Sequence, residues 1–292
     1  MFRMRNIATS QKGSVFLTTE YAVEKVYCWD IDSYEHISDL DMPPFNSTGG
    51  VCFAITDDGT HCIAATYYRY GISMYDIFTG TVIWQRKDIK KAHFLSLDPS
   101  NDKVFIGFDG GSMKVVNRHT GEDIEKLRSI TGIYFDSALE KRLLLRGRDT
   151  LVWDNNKIIS PTFAFLDIQA TGKGVALTAV GRDLIYYDYN EQKITWRITP
   201  KRGEHFIQLA YSGKNDTIYA VLYKYRDQRV EPYHLLYGIS AIDGVIKFIF
   251  PLPTDSCEYG FAQDSTKLIC SNGEIYKLSD SEPVLLHKFN WN

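Results

Sequence analysis

The segment Ile72-Ser-Met-Tyr-Asp-Ile-Phe-Thr-Gly-Thr-Val-Ile-Trp-Gln85 constrains the fold more than any other feature of the chain. It reads as a short strand ending in an aromatic–Asp pair, a Thr79-Gly80 turn, and a second strand closed by Trp84. Apolar residues at period two on both sides of a glycine turn are a hairpin pattern. Worn copies recur in both directions: Val26 to Tyr34 upstream, then Met113 to Gly121, Leu151 to Asn155, Leu184 to Trp196, Tyr237 to Gly244 and Ile275 to Asp280. Seven copies spaced about 40 residues apart, all strand and turn, predict a β-propeller with one blade per copy. A lone blade cannot bury its faces, whereas a closed ring buries them and leaves few sheet edges open.

The repeat predicts an all-β, seven-bladed β-propeller of four-stranded antiparallel blades, with about 28 strands in one domain. The expected blades span roughly 1–42, 49–88, 91–127, 129–160, 163–199, 205–250 and 257–289. In blade one the strands are expected at 2–7, 14–19, 25–31 and 35–40; in blade six at 207–211, 217–223, 234–241 and 245–250, with a long loop before the third. Because the count begins on an inner strand and ends on an outer one, the first choice is closure without strand exchange. A misread terminal strand, or six or eight blades, stands in reserve.

Composition narrows the setting. A 292-residue chain with 44% hydrophobic residues can bury a full core, and 19 Tyr with 16 Phe suit packed β surfaces. The formal net charge of −3 offers no general attraction to nucleic acid. The start Met1 to Asn6 passes into a polar turn without an apolar leader, and no run approaches bilayer-spanning length. Five scattered cysteines do not form a disulfide framework, which sets the cytoplasm as the expected compartment.

Cys28-Trp29-Asp30, Val152-Trp153-Asp154, Tyr75-Asp76, the Thr79-Gly80 turn and the aspartate-rich first turns of the blades resemble degenerate WD40 repeats. The Gly-His pair of that family is absent from the blade starts. The 77–84 and 193–196 segments also resemble the tryptophan-docking repeats of quinoprotein-like propellers, whose quinone and metal ligands have no counterpart here. The resemblance therefore implies a WD40-like or quinoprotein-like scaffold with no cofactor.

Recurrence of Asp30, Asp76, Asp154 and Asp188 at strand ends argues for turn hydrogen bonds rather than catalysis. Trp29, Trp84, Trp153 and Trp196 are expected to fill gaps between blades. The seven histidines show no metal-ligand spacing, and neither a nucleophile elbow nor a phosphate loop is present. No catalytic, cofactor or metal residue is assigned.

The loops carry the functional expectation. In a propeller whose strands run A to D outward, the B–C and D–A loops share one face. That face should gather Tyr67, Tyr68, Arg69, Tyr70, Arg148, Arg182 and the blade-six excursion with Tyr223, Lys224, Tyr225, Arg226, Arg229 and Tyr233. Tyr and Arg are enriched at binding hot spots. The leading expectation is a non-enzymatic interaction scaffold, or an inhibitor- or immunity-like protein, acting as a monomer on an acidic protein partner. No nucleic acid or membrane is expected as a partner. The alternative is a hydrolase, lyase or carbohydrate binder using the central channel, with Glu20, Glu24, His93, Arg148, Asp149, Arg182, Asp183 and His205 as candidate groups.

Overall fold

A computed structural model describes residues 4–20, 25–42, 51–66, 71–108, 111–136, 141–146, 150–153, 156–159, 165–179, 183–224, 233–253 and 258–289. Blade one is β1 (Met4–Thr9), β2 (Val15–Glu20), β3 (Lys25–Asp30) and β4 (His36–Asp41). Blade two is β5 (Val51–Ile55), β6 (His61–Thr66), β7 (Gly71–Asp76) and β8 (Val82–Arg86). Blade three is β9 (Ala92–Leu97), β10 (Lys103–Phe108), β11 (Ser112–Asn117) and β12 (Asp123–Arg128). Blade four is β13 (Ile130–Asp136), β14 (Lys141–Arg146), β15 (Thr150–Trp153) and β16 (Asn156–Ile159). Blade five is β17 (Phe165–Ala170), β18 (Gly174–Ala179), β19 (Leu184–Asp188) and β20 (Lys193–Ile198). Blade six is β21 (Glu204–Ser212), β22 (Thr217–Lys224), β23 (Tyr233–Ser240) and β24 (Ile246–Leu252). Blade seven is β25 (Tyr259–Ala262), β26 (Lys267–Cys270), β27 (Glu274–Lys277) and β28 (Val284–Lys288).

Each blade is a separate antiparallel sheet of four consecutive strands, and the seven form the expected propeller. Both terminal sheets are complete from their own segments, so closure involves no exchanged strand among the described residues. Blade one departs from the expected register. Its first strand continues through Ala8 and Thr9, which pair with Leu17 and Phe16, because the turn closes tightly through the Ser10 N–H to Val15 carbonyl bond of 2.9 Å. In blade six the first, second and fourth strands are longer than expected, and the third keeps its eight residues but begins one residue earlier, at Tyr233.

The repeated aspartates build the C–D turns. Asp30 Oδ1 accepts the Asp32 and Ser33 amides at 2.9 and 2.7 Å, and Asp188 Oδ1 accepts those of Asn190 and Glu191 at 2.8 and 2.9 Å. Asp76 accepts the Thr79 amide at 2.8 Å, a bond that holds its carboxyl below the usual range. Asp154 lies outside the described residues. Four positions after the first turn residue the backbone is left-handed, at Tyr34, Gly80, Gly121, Gln192 and Gly244. Glycine serves there for two reasons: it accepts positive φ, and it lets the preceding blade approach. The Trp84 ring lies against Gly121 and the Trp196 ring against Gly244, where an added Cβ would sit 3.0 and 2.7 Å from them. Each indole also donates to the next blade, Trp84 to the Arg118 carbonyl at 2.6 Å and Trp196 to the Ala241 carbonyl at 3.1 Å. These two tryptophans thus fill gaps between blades; the Trp153 side chain lies outside the described set.

The ring joint uses aromatic stacking instead. Tyr34 stands where other turns have glycine, and the His287 ring of blade seven stacks on it at 4.1 Å. Phe289 packs on Trp29 and Phe16 at 5.2 and 5.9 Å, while Trp29 Nε1 donates to Thr18 Oγ1 at 3.0 Å. Near the axis the Thr9 hydroxyl donates to the Phe261 carbonyl at 2.5 Å, and the Asp264 amide to the Gln11 carbonyl at 2.6 Å. Aromatic pairs of this geometry contribute about 0.5–1.5 kcal/mol each beyond burial.

Candidate functional site

Of the residues expected on the binding face, Tyr67, Tyr68, Arg69, Tyr70, Arg148, Arg182, Tyr225, Arg226 and Arg229 lie outside the described residues. Tyr223, Lys224 and Tyr233 are described, and they come together. They belong to strands rather than to an irregular loop, which corrects the sequence expectation for Lys224 and Tyr233. The reason is cross-strand pairing: Tyr223 faces His234 and Lys224 faces Tyr233 in an unbroken antiparallel register.

The register also shows where this hairpin ends. At the C–D turn end, Val15 pairs with Asp30, His61 with Asp76, Gly174 with Asp188, and Thr217 with Ser240. From that common level β2, β6, β10 and β18 run six residues, whereas β22 runs eight. Blade six therefore projects two rungs further on the B–C face, about 7 Å. Those rungs are the pairs containing Tyr223, Lys224, Tyr233 and His234.

The projecting end is held from below. The Tyr233 hydroxyl donates to Glu204 Oε1 at 2.5 Å, and the Lys201 amide to Glu204 Oε2 at 2.9 Å. The hydrogen bond to Glu204 pushes the Tyr233 phenol up to about 12, so it remains a donor at neutral pH. Lys224 Nζ lies 5.8 Å from the Tyr233 ring centre, within cation–π range. Tyr223 stacks on His234 at 4.7 Å, and His234 meets Tyr259 of blade seven edge-on at 5.5 Å. Burial depresses the His234 pKa, so its imidazole is neutral and packs as an aromatic.

Around this end the same face is basic. Lys87, Lys90 and Lys91 between blades two and three are exposed, as are Lys201 and Arg202 before blade six. Arg128 and Arg146 are exposed there too and were missed by the sequence reading. The signal for them was positional: a fourth strand and a second strand both end on this face. Arg86 is occupied, donating to Asp88 at 2.6 Å and to the Gly121 carbonyl at 2.7 Å. The opposite face carries the turn aspartates, several of them paired with lysines there, Asp57 with Lys12, Asp216 with Lys173 and Asp32 with Lys267.

The channel is a cavity of about 480 Å³ lined by all seven inner strands. Of the groups considered for chemistry there, His93, Asp183 and His205 do not line it. Glu24, Arg148, Asp149 and Arg182 lie outside the described residues, as does the Glu20 side chain. Three carboxylates line it, Asp57, Asp98 and Asp264: Lys12 Nζ of blade one lies 3.2 Å from Asp57, and Asp98 accepts the Lys103 amide of its own turn at 2.8 Å. Among the described residues no group of three or more His, Cys, Asp and Glu side chains could hold a metal ion. No helix among them is long and apolar enough to cross a membrane.

Asp167 pins blade five to blade six beside the channel. Its carboxylate accepts the Leu209 amide at 2.6 Å and the Ile168 amide at 2.8 Å. Burial outweighs both bonds and pushes its pKa up to about 6. A carboxyl with a raised folded-state pKa supports folding fully below its unfolded value, near 3.9, and loses that support as pH climbs through about 6. Asp167→Asn removes the charge but keeps an acceptor for only one of the two amides, so the pH-dependent part of its effect is the informative one. Relative to wild type, the variant should gain about 1–3 kcal/mol of stability between pH 4 and pH 7. Melting temperatures of both proteins across that range check this; a gap independent of pH would contradict it.

No family model matches the sequence, and no curated protein does. Among solved structures, the β-propeller domain of Myceliophteria thermophila Cps50 (Swd1) superposes with a TM-score of 0.68 at 11% identity, covering 92% of each chain. A chain of the mitotic checkpoint complex gives 0.68 at 13% identity, covering 90% of this chain and 84% of that one. At such identities the likeness carries the fold alone, and the chain has a seven-bladed, WD40-like β-propeller architecture.

Proposed function

We propose that this chain is a non-enzymatic scaffold that receives an acidic protein segment on its B–C/D–A face, anchored at the blade-six hairpin. The observation that carries this reading is the two-rung projection, which holds Tyr223, Lys224 and Tyr233 above the ring on a paired, hydrogen-bonded base. Preorganised aromatic and cationic groups lose little side-chain freedom on binding, the circumstance in which such residues become hot spots. Exposed Lys87, Lys90, Lys91, Arg128, Arg146, Lys201 and Arg202 supply the complementary charge. One similar fold was solved within the mitotic checkpoint complex, an instance of a propeller in a protein assembly. An acidic cleft on the partner would suit the same chemistry, in the manner of an inhibitor or immunity protein.

Isothermal titration with a partner recovered from the native host tests the reading. Tyr223→Ala and Lys224→Ala, and likewise Tyr225→Ala and Arg226→Ala in the connecting segment, should each cost about 1–3 kcal/mol wherever the side chain is a buried anchor. Tyr223 and Lys224 are half-buried, so their variants should lower the melting temperature modestly, Tyr223→Ala the more because it loses the His234 stack. Affinity should also fall as salt rises. Unchanged affinity in all four variants would exclude this hairpin as the main contact.

A further inference from the structure

Two of the gaps between neighbouring blades are built alike at the C–D turns but filled differently. Between blades two and three, Trp84 donates its indole N–H to the Arg118 carbonyl, and the Arg118 amide donates to the Asp102 carbonyl at 2.8 Å. Between blades five and six, Trp196 donates to the Ala241 carbonyl, and the Ala241 amide to the Asp216 carbonyl at 3.0 Å. Ala241 is therefore the counterpart of Arg118, as Asp216 is of Asp102 and Ile242 of His119. Arg118 crosses its gap: Nη1 lies 3.4 Å from His61 Nδ1 of blade two, and Nη2 3.2 Å from His119 Nε2. Ala241 offers only a methyl group. His61, which pairs with Asp76, is likewise matched by Gly174, which pairs with Asp188. The Tyr186 ring takes the space over Gly174, where an added Cβ would lie 2.6 Å from it. What remains is a cavity of about 730 Å³ between Lys173, Asp188 and Ile194 of blade five and Asp216, Ala241 and Ile242 of blade six.

We propose that this gap is a binding site for an arginine side chain presented by a basic segment of a protein partner. The equivalent gap shows which chemistry fits, since the guanidinium of Arg118 on its aliphatic stem already occupies it. The charge around the cavity favours a cation as well: Asp188, Glu191 and Asp216 face only Lys173 and Lys193. Both lysines are exposed and lie on rim carboxylates, Lys173 on Asp216 at 3.4 Å and Lys193 on Glu191 at 2.7 Å. Exposed pairs of that kind are weak, so an incoming cation displaces them at little cost. Asp188 carries the excess charge. Its Oδ1 takes the Asn190 and Glu191 amides, and no lysine is paired with it among the described residues. Ile194 and the exposed Ile242 give the methylene stem an apolar path, with Asp188 and Asp216 as acceptors at its end. A guanidinium suits the site better than an ammonium, because its planar fork of N–H groups matches carboxylate geometry. The gap lies on the face opposite the projecting end of the blade-six hairpin, so this site goes beyond the function proposed above and does not rest on it.

Nuclear magnetic resonance of the full chain tests the proposal, because the Trp196 indole N–H bonds to the Ala241 carbonyl and reports on the cavity beside it. N-acetyl-arginine amide, titrated in as the probe, should shift the Trp196 indole signal saturably and leave that of Trp84 in place. N-acetyl-citrulline amide, of the same shape without the charge, should bind at least about tenfold more weakly. Ala241→Arg, which copies blade three, should abolish the shift, and Asp216→Asn should weaken binding by about tenfold. The other indole signals report whether each variant is folded; if Ala241→Arg is not, Asp216→Asn decides. A Trp196 signal that does not move, a shift undiminished in the folded variants, or equal affinity for the citrulline derivative would overturn the assignment. Acidic-partner binding at the hairpin is measured separately and is unaffected by Ala241→Arg, so the two readings fail independently.

Discussion

Gly71→Ala should destabilise the protein by about 3–5 kcal/mol, among the largest effects available from a single methyl group. Gly71 opens the third strand of blade two with φ +78, a conformation that already disfavours alanine. A Cβ there would lie 2.0 Å from the Arg86 carbonyl oxygen and 2.9 Å from Lys87 Cα. Both obstacles are backbone, so no rotamer change relieves them, and β7 must separate from β8. Gly203→Ala is the control. Its φ of +81 is equivalent, but nothing lies within 4 Å of the added carbon. That variant should cost only about 1–2 kcal/mol. Urea denaturation of both separates backbone strain from collision, and equal losses would refute the close approach at Gly71.

Ending the chain after Pro283 should abolish cooperative unfolding of the whole ring. The truncation removes β28, which pairs with β27 through Glu274↔Lys288, Ile275↔His287, Tyr276↔Leu285 and Lys277↔Val284. It also removes the His287 ring from Tyr34 and the Phe289 ring from Trp29 and Phe16. Since no strand is exchanged between the terminal blades among the described residues, these side chains help to carry the joint between blades seven and one. An open solenoid would lose only its end repeat, whereas a ring that cannot close leaves two faces uncovered. Phe289→Ala alone should cost about 2–3 kcal/mol, less than a fully buried phenylalanine because the ring is half-buried. Differential scanning calorimetry distinguishes the cases: a truncated chain that retains one sharp wild-type transition would contradict the closure described here.

The parts of this fold written locally were readable from the chain. Asp76, Thr79 and Gly80 sit within five residues, and their turn follows from a carboxylate accepting nearby amides and from positive φ at the glycine. The inter-blade role of Trp84 was equally legible, because the Gly121 it covers belongs to the next copy of the same pattern. Tyr34 was not. Its turn lacks the glycine, and the reason is the His287 ring, which arrives from the far end of the chain. The need for glycine at position 71 was not legible either; it comes from a carbonyl on β8. At the candidate site, Tyr223 and Tyr233 were picked out by composition, but their elevation is a matter of register, visible only once Thr217 and Ser240 are paired. Arg128 and Arg146 escaped notice because strand ends read as structure until ring geometry places them on a shared face. Among the channel candidates, His93 and His205 belong to inner strands yet do not line the cavity.

Hydrogen–deuterium exchange of the full chain, with and without an acidic partner recovered by affinity capture, tests the central claim most directly. Binding at the B–C/D–A face should slow exchange in the hairpin from 217 to 240 and in the 87–91 and 199–204 connections, and raised salt should weaken that protection. Protection confined to the turns at 56–60, 98–102 and 188–192, on the opposite face, would contradict the assignment.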